Sequence, residues 1–134
     1  MAEPLAFQVS LPLPIEAAEA KVTEALRAEG FGVLTRINVR ATLREKLGEE
    51  FRPYLILGAC NPSLAHRALS NEPLIGVLLP CNVTVEQQGD QSLISIANPQ
   101  ALLAVGSLAD SPVVCDVAAE ARLRLERVAD GLRV

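Results

Sequence analysis

The chain has 134 residues, a net charge of −4 and half its residues apolar, with Phe7, Phe31, Phe51 and Tyr54 as its only aromatic side chains. That length fits one domain with a core large enough to fold without staples, and the apolar fraction excludes disorder. The acidic balance and the scarcity of aromatics argue against nucleic acid, which asks for a basic stripe and stacking platforms.

No apolar run approaches the ~18 residues a membrane-spanning helix needs. Met1-Ala2-Glu3-Pro4 lacks the basic start of a secretory leader. Three cysteines, an odd number, suit a reduced cytoplasmic setting better than a disulfide framework. Arg36, Arg40, Arg44 and Lys46 form a local basic cluster that suits an anion or, as such clusters more often do, a solvated face.

Residues 5 to 13 alternate as a strand, with Phe7, Val9 and Leu11 on one face. Pro14 suits the first turn of a helix, in which Ile15, Ala18, Val22, Ala25 and Leu26 recur at helical spacing. Gly30 is placed to end it in a left-handed C-cap. Residues 33 to 40 alternate again, with one more polar face. Thr42-Leu43-Arg44-Glu45 has the form of a capping box and predicts a short helix ending at Gly48.

Tyr54 to Ala59 is a continuous apolar run of strand length, suited to a position covered on both faces. Asn61-Pro62 predicts a helix start, with Asn as cap and Pro in the first position. Leu64, Ala65, Ala68 and Leu69 follow, and Pro73 sets the end by Glu72. Leu74 to Leu79 reads as a second buried strand, broken at Pro80. Asn82 to Gln87, the turn Gln88-Gly89-Asp90 and Leu93 to Ile96 predict a hairpin. A short helix is expected over 100 to 105. Ser111-Pro112 then opens a long last helix with Val114, Val117, Ala118, Ala121, Leu125, Val128 and Leu132 as its apolar stripe.

The expected fold is therefore α+β, in the order β-α-β-α-β-α-β-β-α, with an extra short helix before the last. It comprises one mixed sheet of about five strands, with helices packed on it.

The candidate site rests on a repeated ending. The runs 55 to 59 and 75 to 80 both finish in Cys-Asn, as Cys60-Asn61 and Cys81-Asn82, and His66, the only histidine, lies between them. Thiols and imidazole serve as nucleophiles, redox centres and soft-metal ligands. Cys60 precedes a helix start, where unpaired amides and the helix dipole lower a thiol pKa. It equally suits a small buried hydrophobe closing a strand. If the two apolar strands pair in parallel through a right-handed crossover, both thiols reach one crevice.

His66 is placed as a base for Cys60 or a further metal ligand, or else as a solvated helix residue. No Cys-x-x-Cys or His-x-x-x-His spacing accompanies it. Asn61 has a sufficient task as a cap. Asn82 suits an amide contact to a small polar ligand, or a turn. Cys115 reads as packing. No dinucleotide fingerprint, phosphate-binding loop or nucleophile elbow is present.

The stretch from Asn38-Val39-Arg40-Ala41-Thr42-Leu43, through Tyr54-Leu55-Ile56-Leu57-Gly58-Ala59-Cys60-Asn61-Pro62, to Ile75-Gly76-Val77-Leu78-Leu79-Pro80-Cys81-Asn82-Val83 resembles the family known as domain of unknown function 302. The resemblance implies a compact α+β domain that self-associates, and carries no activity with it.

The expectation is a non-catalytic module without a cofactor, forming a homo-oligomer, a dimer first. It would bind a small polar or anionic ligand near Cys60, Asn61, His66, Cys81 and Asn82. The alternative is thiol redox or soft-metal chemistry on Cys60 and Cys81. The third is a purely structural dimer that holds another protein.

Overall fold

The structure, a computed structural model, describes residues 3–133. Met1 and Ala2, part of the N-terminal stretch read above for a leader, lie outside the described residues. The elements are β1 (Ala6–Leu11), α1 (Ile15–Ala28), β2 (Gly32–Asn38), α2 (Val39–Leu47), β3 (Tyr54–Cys60) and α3 (Pro62–Asn71). A 3-10 segment (Pro73–Leu78) follows. Then come β4 (Cys81–Gln88), β5 (Gln91–Ala97), α4 (Pro99–Leu102), a 3-10 turn (Gly106–Asp110) and α5 (Pro112–Leu132). The α+β class and the order of elements are as the pattern predicts. Among the described residues no helix is long and apolar enough to cross a membrane.

The five strands form one sheet in the order β1-β5-β4-β3-β2. Every neighbouring pair runs antiparallel, so the sheet is not mixed. The difference comes from residues 74–79. The expected second strand is a 3-10 segment between Pro73 and Pro80, and of its apolar residues only Ile75 is buried. A short continuous apolar run does not distinguish a strand from a helical turn. Here Leu74 and Val77 are 72% and 78% exposed, so the run has no second layer to cover it. The chain turns back through this segment and returns as β4 against β3, without the parallel crossover.

Helix starts follow their caps. Asn61 Oδ1 accepts from the Leu64 amide at 3.1 Å, and Ser111 Oγ accepts from the Val114 amide at 3.3 Å. The second helix differs from expectation: it begins at Val39, capped by Asn38, whose Oδ1 accepts from the Ala41 amide at 3.0 Å. Asparagine is the stronger cap, so the helix starts four residues ahead of where the Thr42 box would cap it. Gly30 ends α1 at φ +85°, with the Phe31 amide bonded back to the Leu26 carbonyl at 2.9 Å, as its left-handed role requires.

One face of the sheet carries the core. Val9, Leu11, Leu55, Leu57, Val83, Val85, Ile94 and Ile96 are buried. So are the stripes of α1 (Ile15, Ala18, Val22 and Leu26) and of α5 (Val114, Val117, Ala118, Ala121, Leu125, Val128, Ala129 and Leu132). The other face is more polar. Gln8, Ser95, Thr84, Ile56 and Ile37 align in one row across all five strands. This alternation is the usual signature of an antiparallel sheet packed on one side.

Candidate functional site

At one end of the sheet β3 finishes with Cys60 and β4 begins with Cys81. Ala59 stands directly opposite Cys81. The thiols therefore meet at one edge, as expected, but through an antiparallel hairpin-like return. Above this edge lies a cavity of about 280 Å³, bounded by the ends of β3 and β4, α3, the 3-10 segment and the inner face of α5.

Its walls are almost wholly apolar. Ala59, Leu64, Ala68, Ile75 and Val117 belong to the buried core, Phe31 contributes a ring, and Leu34 and Leu69 are exposed at the rim. The room exists because the facing positions are small: Ala59 on β3, Ala65 and Ala68 on α3, and Ala121 on α5 all carry only a methyl group.

Of the five expected site residues, Cys60, Asn61 and Cys81 line this cavity. His66 does not. It sits on the outer side of α3, exposed, between the lining Ala65 and Arg67. Asn82 is also exposed and pairs with Gly58, on the sheet face away from Cys81. Successive strand residues point to opposite faces, so Cys81 and Asn82 separate although they are adjacent in sequence. Cys115 is exposed at the start of α5, its Sγ 3.5 Å from the Ala109 carbonyl.

The electrostatics do not favour an activated thiol at Cys81. Burial, reinforced by the nearby Cys60, pushes its pKa up from 9.0 to about 11. A nucleophilic or metal-binding thiol needs the opposite shift. Among the described residues no group of three or more His, Cys, Asp or Glu side chains is arranged to hold a metal ion.

Asn61 is the polar feature of the wall, and it is 8% exposed. Its Oδ1 is engaged in the cap, and its Nδ2 lies over Gly30. Arg124 of α5 reaches the same place. Its Nη1 donates to the Glu29 carbonyl at 3.1 Å, and its Nη2 pairs with Glu120 at 3.2 Å. Glu120 is shared with Arg67 of α3 at 3.6 Å. Glu120 and Arg124 stand four residues apart on α5, one turn of the helix. The chain pattern did not foresee the wall residues Phe31, Leu34, Leu69, Leu79, Pro80, Pro99 and Leu103, which carry no motif.

Comparison with known proteins places the chain. No curated protein matches it. A solved structure, an uncharacterized conserved DUF302 protein from Bacillus stearothermophilus, is similar at 31% identity. Its TM-score is 0.85, covering 98% of this chain and 100% of that one. The family model of the domain of unknown function DUF302 matches residues 7–132. With nearly its whole length accounted for in this way, the chain belongs to the DUF302 family.

Proposed function

We propose that the protein is a non-catalytic binding module that takes the apolar body of a small molecule into the cavity beside Cys60, Asn61 and Cys81. The observation that carries this reading is the open cavity of about 280 Å³ at the junction of β3, β4, α3 and α5. A filled core would have closed that junction, and native interiors leave few voids of such size. Its volume is near the lower end of small-molecule sites, which are mostly apolar with a few placed polar groups. The sequence pointed to a polar or anionic ligand. The walls shift the body of that ligand to the apolar class and leave polarity to one end, at Asn61. The raised pKa of Cys81 supports binding over catalysis.

The test uses hexanol as an apolar probe, followed by ligand-observed NMR. Wild type should show saturable binding. Ala65→Leu, which fills the cavity from the half-buried side of α3, should abolish it while leaving the circular dichroism spectrum unchanged. Equal binding by both proteins would overturn the reading.

Self-association goes with this proposal. Leu34 and Leu69 at the rim, and Leu74 and Val77 on the adjoining 3-10 segment, are 40–78% exposed. Apolar side chains grouped in this way suit a contact with a second copy. Light scattering should report a dimer that Val77→Asp weakens. The free cysteines suit a cytoplasmic setting.

The second reading, thiol redox or soft-metal binding, is favoured by one observation: Cys60 and Cys81 line the same cavity. It requires fast iodoacetamide labelling of one of them at neutral pH, or metal that co-purifies with the protein. Slow labelling and no metal would remove it.

A further inference from the structure

The two edges of the sheet are not alike. β2 closes it on one side and β1 on the other. On β2 the register slips between Val33 and Thr35, a bulge of the kind that blunts an edge against further pairing. β1 keeps an unbroken register with β5 from Ala6 to Leu11. The N–H and C=O of one residue in an antiparallel strand point the same way, and the direction alternates along the strand. The Asn98 amide donates to the Leu5 carbonyl at 2.9 Å, so Leu5, Phe7, Val9 and Leu11 bond toward β5. Ala6, Gln8 and Ser10 therefore turn their backbone groups outward. Arg133 Nη2 donates to the outward Gln8 carbonyl at 3.3 Å, which is where the amide of an added strand would donate.

Beside this edge runs a groove of about 480 Å³, with residues 8–13 on one side and Lys21, Leu132 and Arg133 on the other. No carboxylate lines it. Arg133 is paired with Asp130 at 2.8 Å and offsets the carbonyl end of α5. Lys21 is exposed and makes no ion pair among the described residues. It is the charge left for a partner.

From this edge we infer a docking site for an extended acidic segment of a partner protein. The segment adds to β1 as a sixth strand and bonds to the outward backbone of Gln8 and Ser10. Successive side chains of a strand alternate between faces, so every second one enters the groove, where acidic groups meet Lys21 and Arg133. Backbone bonds supply the affinity of such a strand addition, and the alternate side chains supply its specificity. Charge decides against a second copy here. A two-fold pairing through β1 would put the helices of both copies on one face and bring Lys21 and Arg133 of each chain toward those of the other. The cavity takes no part: none of the residues that line it borders this groove.

The probe is a capped hexapeptide of alternating valine and glutamate, titrated at low salt into isotope-labelled protein and followed by NMR. The valine–lysine counterpart is the control. Shifts should centre on the amides of Gln8 and Ser10, and the glutamate peptide should bind at least about fivefold more tightly than the lysine peptide. Lys21→Glu should remove that preference. Ser10→Pro deletes an outward amide that the β1–β5 ladder does not use, a place where an edge strand tolerates proline. It should abolish binding of the glutamate peptide while circular dichroism stays unchanged. Shifts confined to another part of the sheet, equal binding of the two peptides, or no binding of the glutamate peptide at millimolar concentration would overturn the inference. A wild-type dimer that Ser10→Pro dissociates would give the edge to a second copy and overturn it as well.

Discussion

Cys81 faces Ala59 across the β3–β4 ladder, one position short of facing Cys60. In an antiparallel pair, side chains directly opposite lie on one face, so Cys81 joins Ala59, Leu57 and Val83 on the core side. That position buries the thiol and places it against the cavity. It also makes Cys81 a structural group with a measurable titration.

The first prediction concerns that titration. Cys81 keeps its proton in the folded protein up to a pKa of about 11, against 9.0 for an unburied thiol. Its folded pKa is raised, so its contribution to stability is fully present below pH 9. It is lost as pH rises from 9 through 11, because the unfolded chain ionises first. The full amount is up to ~3 kcal/mol. Urea melts of wild type and Cys81→Ala at pH 8 and pH 11 should show a larger loss for wild type. Equal slopes against pH would mean that the thiol is not so buried. Iodoacetamide at pH 7.5 should modify the exposed Cys115 before Cys81.

Gly58 supplies the second. A Cβ at this position would collide with Thr35 Oγ1 and stand 2.7 Å from Pro80 Cγ. Its φ is not in the left-handed region, so the constraint is one of space. Gly58→Ala should lower stability by about 1–3 kcal/mol through overpacking. Adding Thr35→Ala should recover part of the loss, since it removes the nearer obstacle. Denaturant midpoints of the two variants check this, and no recovery would assign the strain to Pro80 alone.

These two residues also show how far the chain could be read in advance. The end of β3, the cap at Asn61 and the helix behind it follow from local chemistry, so Cys60 and Asn61 were legible as a site edge. Cys81 reached the same edge by a route the pattern did not reveal. An apolar run of six residues reads alike as strand or 3-10 turn, and its identity depended on Leu74 and Val77 finding nothing to pack against. A crevice at this edge was legible, but its size and its apolar walls were not. Its volume comes from methyl groups at Ala59, Ala65, Ala68 and Ala121, which stand as far as 62 positions apart in the sequence and which only packing brings together. His66 and Asn82 drew notice for their chemistry, yet orientation within α3 and β4 turns both away.

The third prediction separates Asn61 from its neighbour His66. Asn61→Ala removes a cap and should cost about 0.5–2 kcal/mol, while Asn61→Asp should cost less than half of that. His66→Ala, at an exposed site, should stay within about 0.5 kcal/mol of wild type and leave hexanol binding unchanged. A large effect of His66→Ala on binding would return the histidine to the site.

The last prediction concerns Asn98, which is fully buried and has both ends of its amide engaged. Nδ2 donates to the Pro4 carbonyl at 2.9 Å, and Oδ1 accepts from the Gln100 amide at 3.1 Å as the cap of α4. The Asn98 amide in turn donates to the Leu5 carbonyl at 2.9 Å. One side chain thus ties the segment before β1 to the turn after β5 and holds Pro99 and Leu103 against the cavity. Asn98→Ala would leave the Pro4 carbonyl and the Gln100 amide without this partner. A loss of about 1–3 kcal/mol is expected for such groups where they are buried. Because the wall at Pro99 and Leu103 depends on the same anchor, hexanol affinity should fall together with stability. Asn98→Asp should recover the cap to Gln100 but not the bond to Pro4, and so restore only part of both. If stability fell while hexanol affinity held, α4 would be a passive cover and the cavity would be shaped by α3 and α5 alone.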